Sequence, residues 1–344
     1  MKALVKEYPK PGLSLLNIEK PQIKNPDDVL FKVEYCAICV GEAKVYDWNE
    51  WAASDTTLQL PTVLGHEASG VVAEVGSQVK QFKPGDRIAP QPVIYCGRCL
   101  QCRKGHTNLC ETREIYGKRR GAFAEYAVLP ERVIGRLNPK LTLEEGALLE
   151  NMSIAVHAVE QEHHEVGDWA IILGGAGPIG IMAAQTLVAY GVNTIITDLA
   201  DWRLDFARKY SGAIIVDVKQ EDPVRRVMEL TGERGASFVI EMGANQAVMD
   251  QAFSVVAEGG TVVTIGTFSN PITFNPFFKM TRREIKLQSS IICTWETWRR
   301  MNQLIDSDKL NLKPLITHIL PLEEYQKGFE LVKGQAAMKI LLKP

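Results

Sequence analysis

Three side chains near the start of the chain have the ligand types of an open metal site. They are Cys39 and the adjacent His66 and Glu67 of Gly65-His66-Glu67-Ala68-Ser69-Gly70. A thiolate, an imidazole and a carboxylate hold zinc while leaving one coordination position for a substrate oxygen. By itself a His-Glu pair is weak, because such pairs are common on surface turns, so its meaning rests on what surrounds it. A second cluster is Cys96-x-x-Cys99-x-x-Cys102-x7-Cys110. Four soft thiolates complete tetrahedral zinc, which predicts a structural ion that folds a lobe and does no chemistry. An iron–sulfur cluster is the alternative. The bacterial ferredoxin run, however, has a gap of about three residues before its last cysteine and then a proline.

The third motif is Gly175-x-Gly177-x-x-Gly180, preceded by the apolar run Trp169-Ala170-Ile171-Ile172-Leu173 and followed by a helical pattern, Ile181 to Tyr190. A strand before and a helix after are the context a dinucleotide fingerprint requires. Pyrophosphate would meet unpaired N–H groups at the helix start. A second strand, Thr194 to Thr197, ends at Asp198, about twenty residues beyond the glycines, where an acidic side chain accepts from the ribose hydroxyls and repels a 2′-phosphate. NAD is therefore expected over NADP, with Asp198 as a plain turn residue the alternative.

These motifs need elements to hold them. Residues 1–150 read as short strands and turns, such as Val29 to Tyr35, Gly70 to Gly76 and Ala122 to Val128, which suggests a partly closed antiparallel β domain. Beyond Asp168 strands alternate with helices. Strand-like stretches at 213–216, 238–241, 261–265 and 285–289 complete a six-stranded, doubly wound α/β sheet. From about Ser290 the alternation stops, and helices at 297–307 and 323–332 and a terminal strand at 338–342 are expected to return to the first domain.

The bulk numbers agree with this plan. A chain of 344 residues exceeds the roughly 250–300 at which single cores stop growing, so two domains are expected. A net charge of −2 and a pI near 6.3 give no electrostatic case for nucleic acid or an anionic membrane. No run is long and apolar enough to span a bilayer. The start, Met1-Lys2-Ala3-Leu4-Val5-Lys6-Glu7, reads as a charged strand, so with metal-type cysteine spacing a cytoplasmic protein is expected.

In that order, Cys39, Gly65-His66-Glu67-x-x-Gly70, the cysteine lobe and the dinucleotide fold resemble the zinc-dependent medium-chain alcohol dehydrogenases over the whole chain. The threonine and polyol (sorbitol) dehydrogenase branch is the most similar. Val45 to Trp51, Gly177 to Ala184 and Pro314 to His318 resemble it at matching places. The resemblance implies a GroES-like catalytic domain over 1–152 and 290–344 and a Rossmann domain over 153–289. It implies two zinc ions per chain, one catalytic at Cys39, His66 and Glu67 with Glu150 able to approach it, and one structural at Cys96, Cys99, Cys102 and Cys110. Glu42 would orient the histidine. The expected NAD site comprises Gly175, Gly177, Pro178, Ile179, Gly180, Asp198 and Arg203.

The implied reaction interconverts a secondary alcohol (a polyol, sugar or sugar-acid derivative) and its ketone by hydride transfer, in a homodimer or homotetramer acting on a small molecule. Departures from the pattern keep other readings open. Gly41 lacks the hydroxyl of the family's proton relay, and Lys44 replaces its histidine. Lys44 is therefore a candidate acid/base, against a solvent-facing lysine as the alternative. Asn151 stands for a usual proline, and Ile292 lies near where the branch places a substrate-binding arginine, which disfavours an amino-acid carboxylate. Trp48, Trp51 and Trp295 are candidate pocket aromatics, with core packing the alternative. The competing functions are L-threonine 3-dehydrogenase, an epimerase or lyase using bound NAD for transient oxidation, and a non-catalytic relative.

Overall fold

Strand Asp28–Ala37 organises the catalytic half. Its apolar run, Val29, Leu30, Phe31 and Val33, is buried, and it pairs antiparallel with Glu67–Val75, Tyr126–Pro130 and the C-terminal Lys339–Lys343. The register sets Ala37 opposite Glu67 on one side and opposite Leu341 on the other. Cys39, two residues past the strand, is thereby brought to His66, one residue before its partner strand. A seven-stranded sheet results, with a three-stranded sheet of Ser14–Asn17, Lys2–Lys6 and Thr62–Val63. Apart from the parallel pairing of Ile316–Pro321 with Lys339–Lys343, the strands of this domain pair antiparallel, as expected.

The computed structural model describes residues 1–344 and forms two compact units, Met1–Asn151 with Leu312–Pro344, and Met152–Asn311. The return to the first unit falls at Leu312 and not at 290. Helix Trp295–Asp306 buries Trp298, Met301 and Ile305 in the second unit, as its amphipathic spacing dictates. Thr297 Oγ1 lies 3.1 Å from His157 Nδ1, and Arg300 pairs with Glu160 at 3.2 Å. Gln185 closes the segment, donating to the Asn311 carbonyl at 3.2 Å and accepting its N–H at 3.0 Å.

The second unit is a six-stranded parallel sheet. Its spatial order is Ile214–Asp217, Asn193–Asp198, Trp169–Leu173, Ala236–Glu241, Val256–Thr264 and Lys286–Ser289, which is the third-second-first-fourth-fifth-sixth order of a dinucleotide fold. Helices Pro178–Ala189, Asp201–Tyr210, Pro223–Leu230 and Gln246–Val255 connect the strands. The central strands are near-continuous apolar runs because both faces are covered. No helix in the chain is long and apolar enough to cross a membrane.

Candidate active site

Cys39 is the N-cap of helix Val40–Asp47. Its sulfur accepts the Gly41 N–H at 3.4 Å, and its own N–H donates to Glu42 Oε2 at 2.9 Å, so cysteine and glutamate form a capping box. The other oxygen of that carboxylate, Oε1, lies 2.8 Å from His66 Nδ1. Glu42 thus ties the thiol-bearing turn to the imidazole through Nδ1 and leaves Nε2 as the nitrogen whose lone pair can ligate a metal. The ligand atoms of Cys39, His66 and Glu67 lie within 4.8 Å of one another, as donors around one small cation do. Burial, then the Glu67 charge, pushes the Cys39 thiol up. Burial pulls His66 down, but the Glu42 carboxylate and Cys39 outweigh it, and the imidazole is raised well above its ordinary value. Both protons sit where a divalent cation would displace them.

Glu67 is fully buried. Its Oε1 accepts from Asn151 Nδ2 at 2.8 Å, and its Oε2 pairs with the buried Lys339 ammonium, which also donates to the Ile38 carbonyl at 3.4 Å. Burial alone would lower Lys339, but the charges of Glu67 and Cys39 raise it. Glu150 lies outside the three-donor cluster and shares the Asn151 amide, accepting at 2.7 Å. Burial pushes its carboxyl up to about 7, although the His66 charge opposes.

Beside His66 opens a cavity of about 70 Å³ whose wall includes Gly41, Val45, Trp51, Leu64, Tyr116 and Lys118. A Cβ at Gly41 would rest 3.7 Å from Cys39 Sγ, so glycine leaves room next to the thiol without being sterically required. Lys44 does not line this cavity; its Nζ lies 5.2 Å from the centre of the Trp51 ring. Trp48 is the left-handed C-cap of the same helix and sits under the Lys6 ammonium. Trp295 belongs to the second unit, edge-on to Trp298. Of the three tryptophans, only Trp51 lines the cavity.

The sulfurs of Cys96, Cys99, Cys102 and Cys110 also lie within 4.8 Å of one another, and none is in a disulfide. Backbone N–H groups point at them. Arg98 and Cys99 donate to Cys96 Sγ at 3.5 and 3.4 Å, and these bonds lower that thiol to about 6. Left-handed Gly97 and Gly105 turn the chain between ligands.

In the second unit, strand Trp169–Leu173 runs into left-handed Gly174 and then Gly175, where a Cβ would lie 2.4 Å from Ile172 Cγ2. Gly180 packs so closely that a Cβ would meet the Gly175 carbonyl at 2.1 Å. Gly177, by contrast, faces open space and caps helix Pro178–Ala189 with no side-chain hydrogen bond. Uncapped N–H groups at an unobstructed helix start form an anion cradle. Asp198 borders it, accepting the Ala176 N–H at 3.0 Å through Oδ2 and those of Leu199 and Ala200 at 2.7 and 3.2 Å through Oδ1. Arg203 lies nearby with its Nε buried and unpartnered. Burial lowers the guanidinium against the pull of Asp198.

The sequence matches two family models, the alcohol dehydrogenase GroES-like domain over residues 25–139 and the zinc-binding dehydrogenase over residues 178–307. L-threonine 3-dehydrogenase of Bacillus velezensis is 34% identical over 346 residues, covering 99% of each chain. The chain belongs to the zinc-binding medium-chain dehydrogenase family. An Aspergillus clavatus protein named "Probable D-xylulose reductase A" is 33% identical over 94% of this chain and 91% of its own. Among solved structures, the alcohol dehydrogenase TADH from Thermus sp. ATN1 superposes with a TM-score of 0.91 at 29% identity, covering 100% of this chain and 99% of that one.

This dehydrogenase accordingly uses zinc and a nicotinamide nucleotide and acts on a small molecule. Both donor sets fit the metal by type, spacing and the protons they would release, and the glycine cradle fits the pyrophosphate. Two participants lay outside the sequence reading. Lys339 has only a weak signal, a lysine in the inward-facing register of the apolar Lys339–Lys343 strand. The Lys118 cavity wall has none.

Proposed function

We propose that the enzyme interconverts a secondary alcohol of the polyol, sugar or sugar-acid type and its ketone, with NAD as the hydride carrier. The observation that carries this reading is the Cys39–His66–Glu67 cluster, locked by Glu42, whose His66 borders a cavity walled in part by Trp51 and Tyr116. Bound zinc would polarise the substrate oxygen and lower its pKa, while NAD would take the hydride. Cys39, His66 and Glu67 would hold the ion, with Glu150 a nearby carboxylate able to approach it. Glu42 fixes the histidine tautomer and ring orientation. Lys339 and Asn151 each hold one oxygen of the buried Glu67 carboxylate. Gly175, Gly177, Pro178, Ile179 and Gly180 would cradle the pyrophosphate. Asp198, with Arg203 beside it, would take the adenosine ribose, since a carboxylate has about four lone-pair sites and backbone bonds use three.

Lys44 is the candidate acid/base of this reading, its ammonium against the Trp51 ring and outside the cavity wall. If Lys44→Met left turnover and its pH profile unchanged, the role would be lost. A homo-oligomer in the cytoplasm is part of the same reading. The exposed edge strand Lys286–Ser289 and the exposed Phe277 and Phe278 support self-association, which light scattering of the purified enzyme tests. L-threonine oxidation is the second reading, favoured by the relatives' names. An NAD-reduction screen over polyols, sugar acids, inositols and L-threonine, with zinc quantified in the same sample, decides between them. Turnover of L-threonine alone would replace the polyol reading.

A further inference from the structure

The cavity beside His66 contains a charged pair that metal ligation does not use. Lys118 Nζ lies 2.6 Å from Asp55 Oδ2 and donates to Thr57 Oγ1 at 2.9 Å; the two side chains are 26% and 11% exposed. Asp55 Oδ1 accepts the Thr57 N–H at 2.9 Å and its hydroxyl at 2.6 Å, so this loop is tied to the pair at both ends. Both Asp55 and Lys118 line the cavity. The metal centre is close, because the turn at Gly117 packs on it: a Cβ on Gly117 would lie 3.3 Å from the His66 Cβ. Lys118 is the next residue.

Hydrogen-bond capacity defines what this pair can take. An ammonium has three N–H donors, and Lys118 spends two, on Asp55 and Thr57. Asp55 Oδ2 receives only Lys118 and retains a lone pair. One donor and one acceptor therefore remain side by side, and a hydroxyl, which both accepts and donates, satisfies both at once. A carboxylate or phosphate would satisfy the donor but face the Asp55 charge. An alkyl chain would satisfy neither and would desolvate both, which is the costlier outcome. The same cavity is lined by Val45, Leu64, Ile115 and the Trp51 indole, surfaces that suit the C–H face of a carbon chain.

We propose that Lys118 and Asp55 form a hydroxyl-recognition subsite that selects polyhydroxylated alcohols over simple secondary alcohols, with Trp51 supporting the intervening carbon chain. The proposal rests on the reading of Cys39, His66 and Glu67 as the reacting centre. It adds that specificity is set by a doubly hydrogen-bonding contact with an ion pair in the wall of the same cavity.

The test uses zinc-loaded enzyme and compares five- and six-carbon polyols with 2-pentanol and 2-hexanol, in the wild type, Lys118→Met, Asp55→Asn and Lys118→Arg. The readouts are kcat/KM with NAD and, independently of turnover, binding by isothermal titration calorimetry. Circular dichroism and zinc content confirm folding. In the wild type the polyol is preferred by at least tenfold. Lys118→Met and Asp55→Asn each reduce the polyol-to-alkanol ratio by about tenfold to hundredfold, the range for one hydrogen bond to a charged group. Lys118→Arg retains most of the ratio. A ratio that is the same in all four proteins overturns the subsite, as does a wild type that binds no polyol. If polyols are oxidised with an unmoved ratio, the dehydrogenase reading stands and the subsite fails. If no alcohol is oxidised but polyol binding still depends on Lys118, the subsite stands and the substrate reading fails.

Discussion

Replacing Lys339 with methionine should separate the stability of the metal-free fold from the affinity for zinc, moving them in opposite directions. Lys339 and Glu67 are both buried, and the Lys339 ammonium is the cation paired with Glu67 Oε2. Methionine keeps most of the apolar stem, so packing changes little and the charge is what is lost. Removing one partner of a buried pair costs about 3–5 kcal/mol, because the remaining charge is uncompensated. The Asn151 amide still donates to Oε1, which places the expected loss near the lower end, about 3 kcal/mol in metal-free protein. A zinc ion at Cys39 and His66 would then be the nearest compensating charge for Glu67. Zinc should bind Lys339→Met more tightly, and each tenfold gain returns about 1.4 kcal/mol of the deficit. Thermal and urea unfolding of both proteins, with and without chelator, measures this; the cysteine lobe loses its ion equally in each and cancels. Equal stability of the two metal-free proteins, or weaker zinc binding by the variant, would refute the account of Glu67 as a charge held by Lys339.

Three further outcomes follow from the geometry. Glu42→Gln keeps the shape but can accept only one of the two bonds from His66 and the Cys39 N–H, so zinc affinity in a competition titration should fall about tenfold to hundredfold; an unchanged affinity would remove Glu42 from the site. Asp198→Ser removes the negative charge beside the cradle and should shift the kcat/KM preference from NAD towards NADP by at least tenfold, with a constant preference contradicting the ribose assignment. Hydrogen bonds from Lys286 and Thr261 pull the Glu162 carboxyl down to about 2 from 4.5, so its folded value lies below its unfolded one. Its stabilisation is present above pH 4.5 and is lost as pH falls towards 2. Glu162→Gln should flatten that acid limb of the melting temperature, and an identical limb in both proteins would show that Glu162 does not contribute.

The chemistry was readable where it is local. His66 and Glu67 are adjacent, Glu42 follows Cys39 within one helical turn, and the three glycines lie within six residues of the helix they start. Each such group is positioned by a turn or a cap, whose rules operate over a few residues. The sequence places the return of the chain at 290 and the structure at Leu312 for the opposite reason: the amphipathic pattern of Trp295–Asp306 shows that a face is buried but not against which unit. That was decided by Asn311 bonding Gln185, 126 residues away, and by His157 and Glu160.

The sequence by itself determined the ligand types, their order, the four-thiolate lobe and the alternation that builds a six-stranded dinucleotide fold. Tertiary structure alone decided the surroundings of those ligands. The cation that compensates Glu67 is 272 residues away, reached because Lys339–Lys343 and Glu67–Val75 flank the same central strand. The pair facing the cavity joins Asp55 to Lys118 across a turn packed on His66. Burial turns these distant charges into partners: once water is excluded, a carboxylate must find a cation or a hydrogen-bond donor, and only the register of the folded sheet determines which one it meets.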